Sequence, residues 1–336
     1  MAEVMRAIDI KGGKGNADAL FINDATPKPQ PAAGQALVKV KAFGLNRMDL
    51  LQREGHYPVP PQAPSTLGVE FSGIIESLGP GGDRDGGLKP GDAVFGLAYG
   101  GAYAEYIAVS SKMLLRKPDR LGFEQVAGVP ETWITATQAL HFVLQITPGK
   151  SVLWHAGASG VSIAGIQLSR LAGAGAIFAT AGTADKCAFV EELGATAAFN
   201  YKEQDWVREI LDRTDGKGVD LVVDFVGGSY FQKNLDVVAR DGRICMLGLM
   251  GGAVADRVDV GKLLYKRVRV EGSTLRSRDE DYQGKLRDKL EEYLPRFESG
   301  ELKVLLDTVL PWEKITEAHK LLEQNKTMGK IICTVS

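Results

Sequence analysis

A chain of 336 residues exceeds the size at which one hydrophobic core usually keeps growing, so two domains are expected. Its 44% hydrophobic and 24% charged residues exclude a disordered chain, and a net charge of −2 gives no general attraction to nucleic acid or anionic membrane. No apolar run reaches the about 18 residues of a spanning helix, and three scattered cysteines (Cys187, Cys245, Cys333) form no disulfide framework, so a reducing, cytoplasmic setting is expected. The N-terminus carries Glu3, Arg6 and Asp9 where a signal peptide would be apolar.

Strand-like runs come first, at 19–22, 36–42, 71–77, 92–97 and 103–109, separated by Gly and Pro clusters. In 36–42, Val38 and Val40 alternate with Lys39 and Lys41, the period of a half-buried strand. One short helix is predicted at 47–53, so residues 1–128 read as a compact antiparallel β domain. The register then changes. A short apolar run at 151–155 precedes a helical pattern through Ile163, Ile166, Leu168 and Leu171. Strands at 176–180, 221–224, 244–247 and 267–271 alternate with helices around 189–193 and 231–238. That alternation makes βαβ units, a parallel sheet and a doubly wound α/β architecture over 129–272. After Ser273 come a long amphipathic helix at 286–297 and a last strand at 330–334, read as returning to the first domain.

The strand at 151–155 runs into His155-Ala156-Gly157-Ala158-Ser159-Gly160-Val161, small residues where a strand ends and a helix begins. Backbone can turn sharply there and approach a pyrophosphate, whose charge meets free N–H groups at the helix start. The spacing departs from G-x-G-x-x-G, and an isolated turn of this kind is as well explained as a plain tight turn. Its place in a βαβ unit, with further βα units behind it, favours a dinucleotide held by Gly157, Ser159, Gly160 and Val161.

The next strand bears on which dinucleotide. NAD-binding units commonly place an acid about 20 residues after the loop, for the ribose hydroxyls. Here Ala179-Thr180-Ala181-Gly182-Thr183 offers none, and Lys186 follows in the first helical turn. A cation there opposes the helix dipole, so a compensating anion is expected; a 2′-phosphate met by Gly182, Thr183, Lys186 and Tyr201 would make the cofactor NADPH. The alternative is a solvated lysine balanced by Asp185. Val226 and Gly227, and Leu247, Gly248, Leu249 and Met250, follow two further strands, at the sheet edge where ligands bind. His155 is read as packing.

These stretches resemble the medium-chain dehydrogenase/reductase superfamily in its zinc-free, zeta-crystallin-like quinone oxidoreductase branch. In the first domain the resemblance rests on Gly44-Leu45-Asn46-Arg47-Met48-Asp49, Leu67-Gly68-Val69-Glu70-Phe71-Ser72-Gly73 and Pro90-Gly91-Asp92-Ala93-Val94. Pro130-Glu131-Thr132-Trp133-Ile134-Thr135-Ala136 marks the crossing into the second. Gly227-Gly228-Ser229-Tyr230, Gly248-Leu249-Met250-Gly251-Gly252 and Leu275-Arg276-Ser277-Arg278-Asp279 are most similar to the tumour-suppressor-inducible members of that branch. The resemblance implies a GroES-like first domain completed by 273–336, a Rossmann cofactor domain over 129–272, and a homodimer through the cofactor domains. Zinc-dependent relatives use a cysteine and a His-Glu pair in the first domain; Asn46 and Val69 stand at the first two positions and Glu70 is left alone. With four histidines that form no cluster with cysteine, no metal is expected.

Without a Lewis acid an unactivated ketone is hard to polarise, whereas a quinone or another conjugated acceptor spreads the incoming charge. The resemblance places the nicotinamide in the cleft between domains, which points to Asn46 and Tyr57 as catalytic residues and puts Thr135 near the cofactor. Tyr57 either gives a proton to the reduced acceptor or walls the pocket, and Leu51 stands where related proteins often have a second tyrosine. Ser277 and Arg278 are expected to close over the nicotinamide, unless Arg276 and Arg278 are surface charges beside Asp279 and Glu280. The expectation is an NADPH:quinone oxidoreductase. Reduction of α,β-unsaturated carbonyls is the enzymatic alternative, and a structural or RNA-binding crystallin-like role the non-enzymatic one; the absence of a basic stripe argues against RNA.

Overall fold

A computed structural model describes residues 3–84 and 86–336. The chain forms two compact units, Met1–Ile134 with Arg276–Ser336, and Thr135–Leu275. Both divisions fall a few residues beyond those expected from the sequence, and the helix Pro130–Thr137 runs across the first of them.

In the first unit, β1 (Val4–Ile10) and β2 (Leu20–Pro27) pair antiparallel. The main sheet takes β3 (Gln35–Gly44), β4 (Glu70–Leu78), β5 (Ala93–Leu97), β6 (Tyr106–Ser110) and β7 (Leu114–Arg116). β3 is central, antiparallel to both β4 and β6, and only Lys39 along it is exposed. Tyr103, placed in a strand by its sequence pattern, lies ahead of β6; it is fully buried and stacks on Phe43 with ring centroids 4.3 Å apart.

The second unit is a six-stranded parallel sheet of β8 (Ser151–Trp154), β9 (Ala176–Ala181), β10 (Ala197–Asn200), β11 (Val219–Asp224), β12 (Val238–Met246) and β13 (Arg269–Gly272). Its order is β10-β9-β8-β11-β12-β13, so the chain winds outward one way from β8 and then the other, the doubly wound arrangement. Helices Gly160–Leu171, Ala184–Leu193, Trp206–Arg213, Gly228–Val237 and Gly261–Lys266 lie in the five crossovers. β10 escaped the sequence reading because Ala197-Ala198-Phe199-Asn200 has no alternation to detect. Phe199 nevertheless packs with Leu153, Phe178, Trp206 and Ile210 in the core of this unit.

The returning segment adds β14 (Leu306–Pro311) and β15 (Lys330–Thr334) to the first unit. β15 lies antiparallel on β3, as expected of the tail, and β14 runs parallel to β15. The single helix expected at 286–297 is instead two, Glu280–Glu291 and Leu294–Glu298. Pro295 has no N–H to continue the first helix but suits the opening turn of the second. Among the described residues no helix is long and apolar enough to cross a membrane.

Candidate active site

The residues expected to hold a dinucleotide gather in the second unit, where four adjacent parallel strands end. After β8, Ala156 takes a left-handed φ of 49°, the Gly157 N–H donates to the Thr180 carbonyl (2.8 Å), and the Ser159 hydroxyl caps the helix Gly160–Leu171. The first-turn N–H groups of that helix, Gly160 and Val161 among them, have no carbonyl partner within the helix, and such groups favour an anion. After β9, the Thr183 hydroxyl accepts from the Lys186 N–H (3.2 Å) and caps Ala184–Leu193, with Lys186 in its first turn. The half-exposed Tyr201 phenol lies across this exit, its oxygen 3.0 Å from where a Cβ on Gly182 would sit. A side chain at 182 would close that space.

After β11, the buried Asp224 carboxylate accepts from the N–H groups of Val226 (2.7 Å) and Gly227 (3.1 Å) and from the Asn234 amide (3.0 Å). After β12, the Leu247 N–H bonds the Asp224 carbonyl and Met250 the Phe225 carbonyl, which fixes Leu247, Gly248, Leu249 and Met250 beside that turn. Thr135, also in this unit, has a buried hydroxyl with no hydrogen-bond partner among the described residues, a group awaiting an acceptor or donor. The residues present fit a dinucleotide. His155 is fully buried, bonded to Thr180 (2.9 Å) and Asn234 (2.8 Å) and wedged edge-on against Trp206 and Tyr230, in keeping with a packing role.

In the first unit Asn46 ends the link from β3 and opens the helix Arg47–Glu54. Its amide nitrogen donates to Glu70 Oε1 (2.9 Å) and its oxygen accepts from Lys330 Nζ (2.7 Å). The Lys330 ammonium, almost wholly buried, also meets Glu70 Oε1 (2.5 Å) and the Leu45 carbonyl (2.7 Å). Glu70 reaches this point because Gly44 has no Cβ; one built there would lie 2.3 Å from Glu70 Oε1. The other Glu70 oxygen accepts from the Glu131 N–H (2.9 Å). Burial, with the Glu70 charge adding to it, pushes the Glu131 carboxyl up to about 8.

Asp49 is buried below Asn46. Its Oδ2 accepts from the Asn46 N–H (2.8 Å) and the Tyr103 hydroxyl (3.2 Å), Oδ1 has no hydrogen-bond partner among the described residues, and burial raises the acid to about 6. Tyr103 continues to His319 Nε2 (3.3 Å), whose Nδ1 meets Arg53 (3.1 Å). A guanidinium only donates, so Nδ1 accepts and the ring proton sits on Nε2. Burial, then the Arg53 charge, pushes His319 down to about 3.

Tyr57 lies at the rim of this group, half-buried, with the Arg276 guanidinium 5.4 Å from its ring centroid. Burial and then Glu131 raise the phenol, and Arg276 pulls it back. Arg276 is no surface charge: only 4% of it is exposed. Ser277 and Arg278 belong to this first unit and not to the strand-end cluster; the Arg278 carbonyl accepts from the Tyr99 hydroxyl (2.8 Å) and its guanidinium covers Tyr282. Sequence reasoning missed Asp49, Glu131, Arg276, His319 and Lys330 as members of a site. Asn46, Tyr57 and Glu70 carried a signal, Asn46 and Glu70 as positions of an altered metal-binding pattern, and Lys330 lies 284 residues from Asn46.

A family model described as alcohol dehydrogenase GroES-like domain matches residues 32–119, and one described as zinc-binding dehydrogenase matches 160–292. The second lies outside the stretch with Asn46, Val69 and Glu70. The synaptic vesicle membrane protein VAT-1 homolog of Mus musculus is 31% identical over 319 residues, which cover 90% of this chain and 77% of that relative. Among solved structures, an NAD-dependent alcohol dehydrogenase is 33% identical with a TM-score of 0.86, covering 99% of this chain and all of the other (100%). A quinone oxidoreductase of Escherichia coli complexed with NADPH is 28% identical with a TM-score of 0.85, over 98% of this chain and 99% of that one. With a GroES-like unit, a doubly wound unit and this likeness along nearly its whole length, the chain belongs to the medium-chain dehydrogenase/reductase superfamily of oxidoreductases, in its zeta-crystallin-like branch.

Proposed function

We propose that the chain is an NADPH-dependent quinone oxidoreductase that works without zinc. The observation that carries this reading is the Lys330 ammonium seated on the oxygens of Asn46 and Glu70. A metal there would have to displace a buried cation and accept an amide in place of a thiolate. A site without a Lewis acid suits acceptors that delocalise charge, and quinones do so best. Bound NADPH supplies the hydride. The chain's part is to hold phosphates at the Gly157–Val161 turn, to meet a 2′-phosphate with Lys186 and Tyr201, and to seat the acceptor near Asn46 and Tyr57. The absence of an acid at 179–183 favours NADPH over the NAD named for one structural neighbour. Three unpaired cysteines suit a reducing cytoplasm, and the exposed edge of the second unit suits a homodimer.

Steady-state rates with 1,2-naphthoquinone, an alkenal and a simple alcohol test the reading. The quinone is expected to be reduced fastest, with NADPH preferred to NADH. Lys186→Ala should raise the NADPH KM about tenfold, the loss of one charge-assisted phosphate contact, and leave the NADH KM unchanged. A clear preference for the alkenal replaces the quinone reading with enone reduction; an unchanged NADPH KM removes the 2′-phosphate assignment.

A further inference from the structure

Arg276 is a buried cation held, among the described residues, by no direct ion pair. Its Nε donates to the Tyr99 carbonyl (2.6 Å) and its Nη1 to the Gln52 side-chain oxygen (2.7 Å), both neutral acceptors. Among the described residues it forms no ion pair, and Nη2 is buried with no hydrogen-bond partner. Taking an ion out of water is costly unless an opposite charge compensates. Asp49 and Glu131 act on Arg276 electrostatically, but among the described residues neither is in ion-pair contact with it. Burial raises Glu131 to about 8 and Asp49 to about 6, and Asp49 Oδ2 already accepts from the Asn46 N–H and the Tyr103 hydroxyl. The guanidinium comes this close because Gly100 has no Cβ; one built there would stand 3.2 Å from Nη2. The half-exposed Tyr57 ring covers the guanidinium.

From this geometry we propose that Arg276 is the anion-binding residue of the acceptor site, taking an acceptor's carbonyl oxygen on Nη2 as that oxygen becomes negative. The proposal rests on the reductase reading above. Hydride carries two electrons into the conjugated acceptor, and the displaced π pair settles on the carbonyl oxygen. NADPH is oxidised, the acceptor is reduced, and water supplies the closing proton. A donor aimed at the oxyanion acts where charge develops, in a site already partly desolvated. Tyr57 is the cover that admits the acceptor, so one pair of residues both stacks on the ring system and receives its oxygen.

The test uses the full-length chain with NADP⁺ and 2-naphthoate, an aromatic carboxylate that stands for the anionic acceptor. The wild type is expected to bind naphthoate in competition with 1,2-naphthoquinone. Arg276→Gln should abolish that binding and lower kcat/KM for the quinone about 100-fold, with the NADPH Kd within about twofold. Arg276→Lys should restore part of both. Gly100→Ala, which crowds Nη2 and keeps the charge, should weaken naphthoate about tenfold, and it serves if Arg276→Gln does not fold. Failure of the wild type to bind naphthoate, or naphthoate affinity unchanged in both Arg276→Gln and Gly100→Ala, overturns the anion site. Naphthoate binding that depends on Arg276 in a chain that reduces no quinone leaves the anion site standing and removes the quinone reading.

Discussion

Glu131 and His319 hold protons on opposite terms, and the pH dependence of stability follows from the difference. The Glu131 carboxyl titrates at about 8 against an ordinary 4.5, so between those values the folded chain keeps a proton that the unfolded chain has lost. Stability from this group is therefore full below about 4.5 and is lost as pH rises through 8. His319 works the other way. Its folded value of about 3 lies below an ordinary 6.5, so its contribution is full above 6.5 and is lost as pH falls toward 3. Glu131→Gln is expected to flatten the fall in melting temperature between pH 6 and pH 9, and His319 variants to act only on the acid side. A wild-type melting temperature that falls no more steeply over that range than the variant's contradicts the assignment to Glu131. Neither residue was legible as a titrating group in the sequence, since a Glu after Pro130 and a His on an amphipathic helix become unusual only through what covers them.

The helix Gly160–Leu171 and strand β8 depend on each other through one close approach. A Cβ on Gly165 would lie 2.1 Å from the Trp154 ring, and the Trp154 indole N–H bonds the Ser169 hydroxyl (3.0 Å) one turn further on. The indole is fully buried, so neither partner can yield without moving the helix. Gly165→Ala gains helix propensity but overpacks the junction, and a net loss of about 1–3 kcal/mol is expected by urea unfolding. Because the same helix follows the turn proposed to bind phosphate, NADPH affinity should fall in parallel. An unchanged midpoint would show that the indole repacks freely. The strand, the turn and the start of this helix were all visible from apolar periodicity and small residues. The break at Pro295 was misjudged, because apolar spacing continued across it while the chain's hydrogen bonding did not.

The second unit ends on an exposed edge. β13 is exposed along its length, and beside it in sequence Leu264 and Tyr265 on the helix Gly261–Lys266 are 72% and 75% exposed. An open strand with apolar neighbours is a surface prone to pairing. A Leu264→Lys/Tyr265→Lys double variant is expected to shift sedimentation from dimer to monomer while each chain keeps its NADPH site. A wild-type monomer at micromolar concentration would end the dimer proposal. The doubly wound arrangement, the small-residue turn after β8 and the lack of an acid after β9 were readable in the chain, because each depends on residues a few positions apart whose spacing sets their faces. The ammonium on Asn46 and Glu70 and the buried Arg276 were not. They exist only once β15 pairs with β3 and the returning segment closes on the first unit, and their chemistry comes from burial, which has no signature in local spacing.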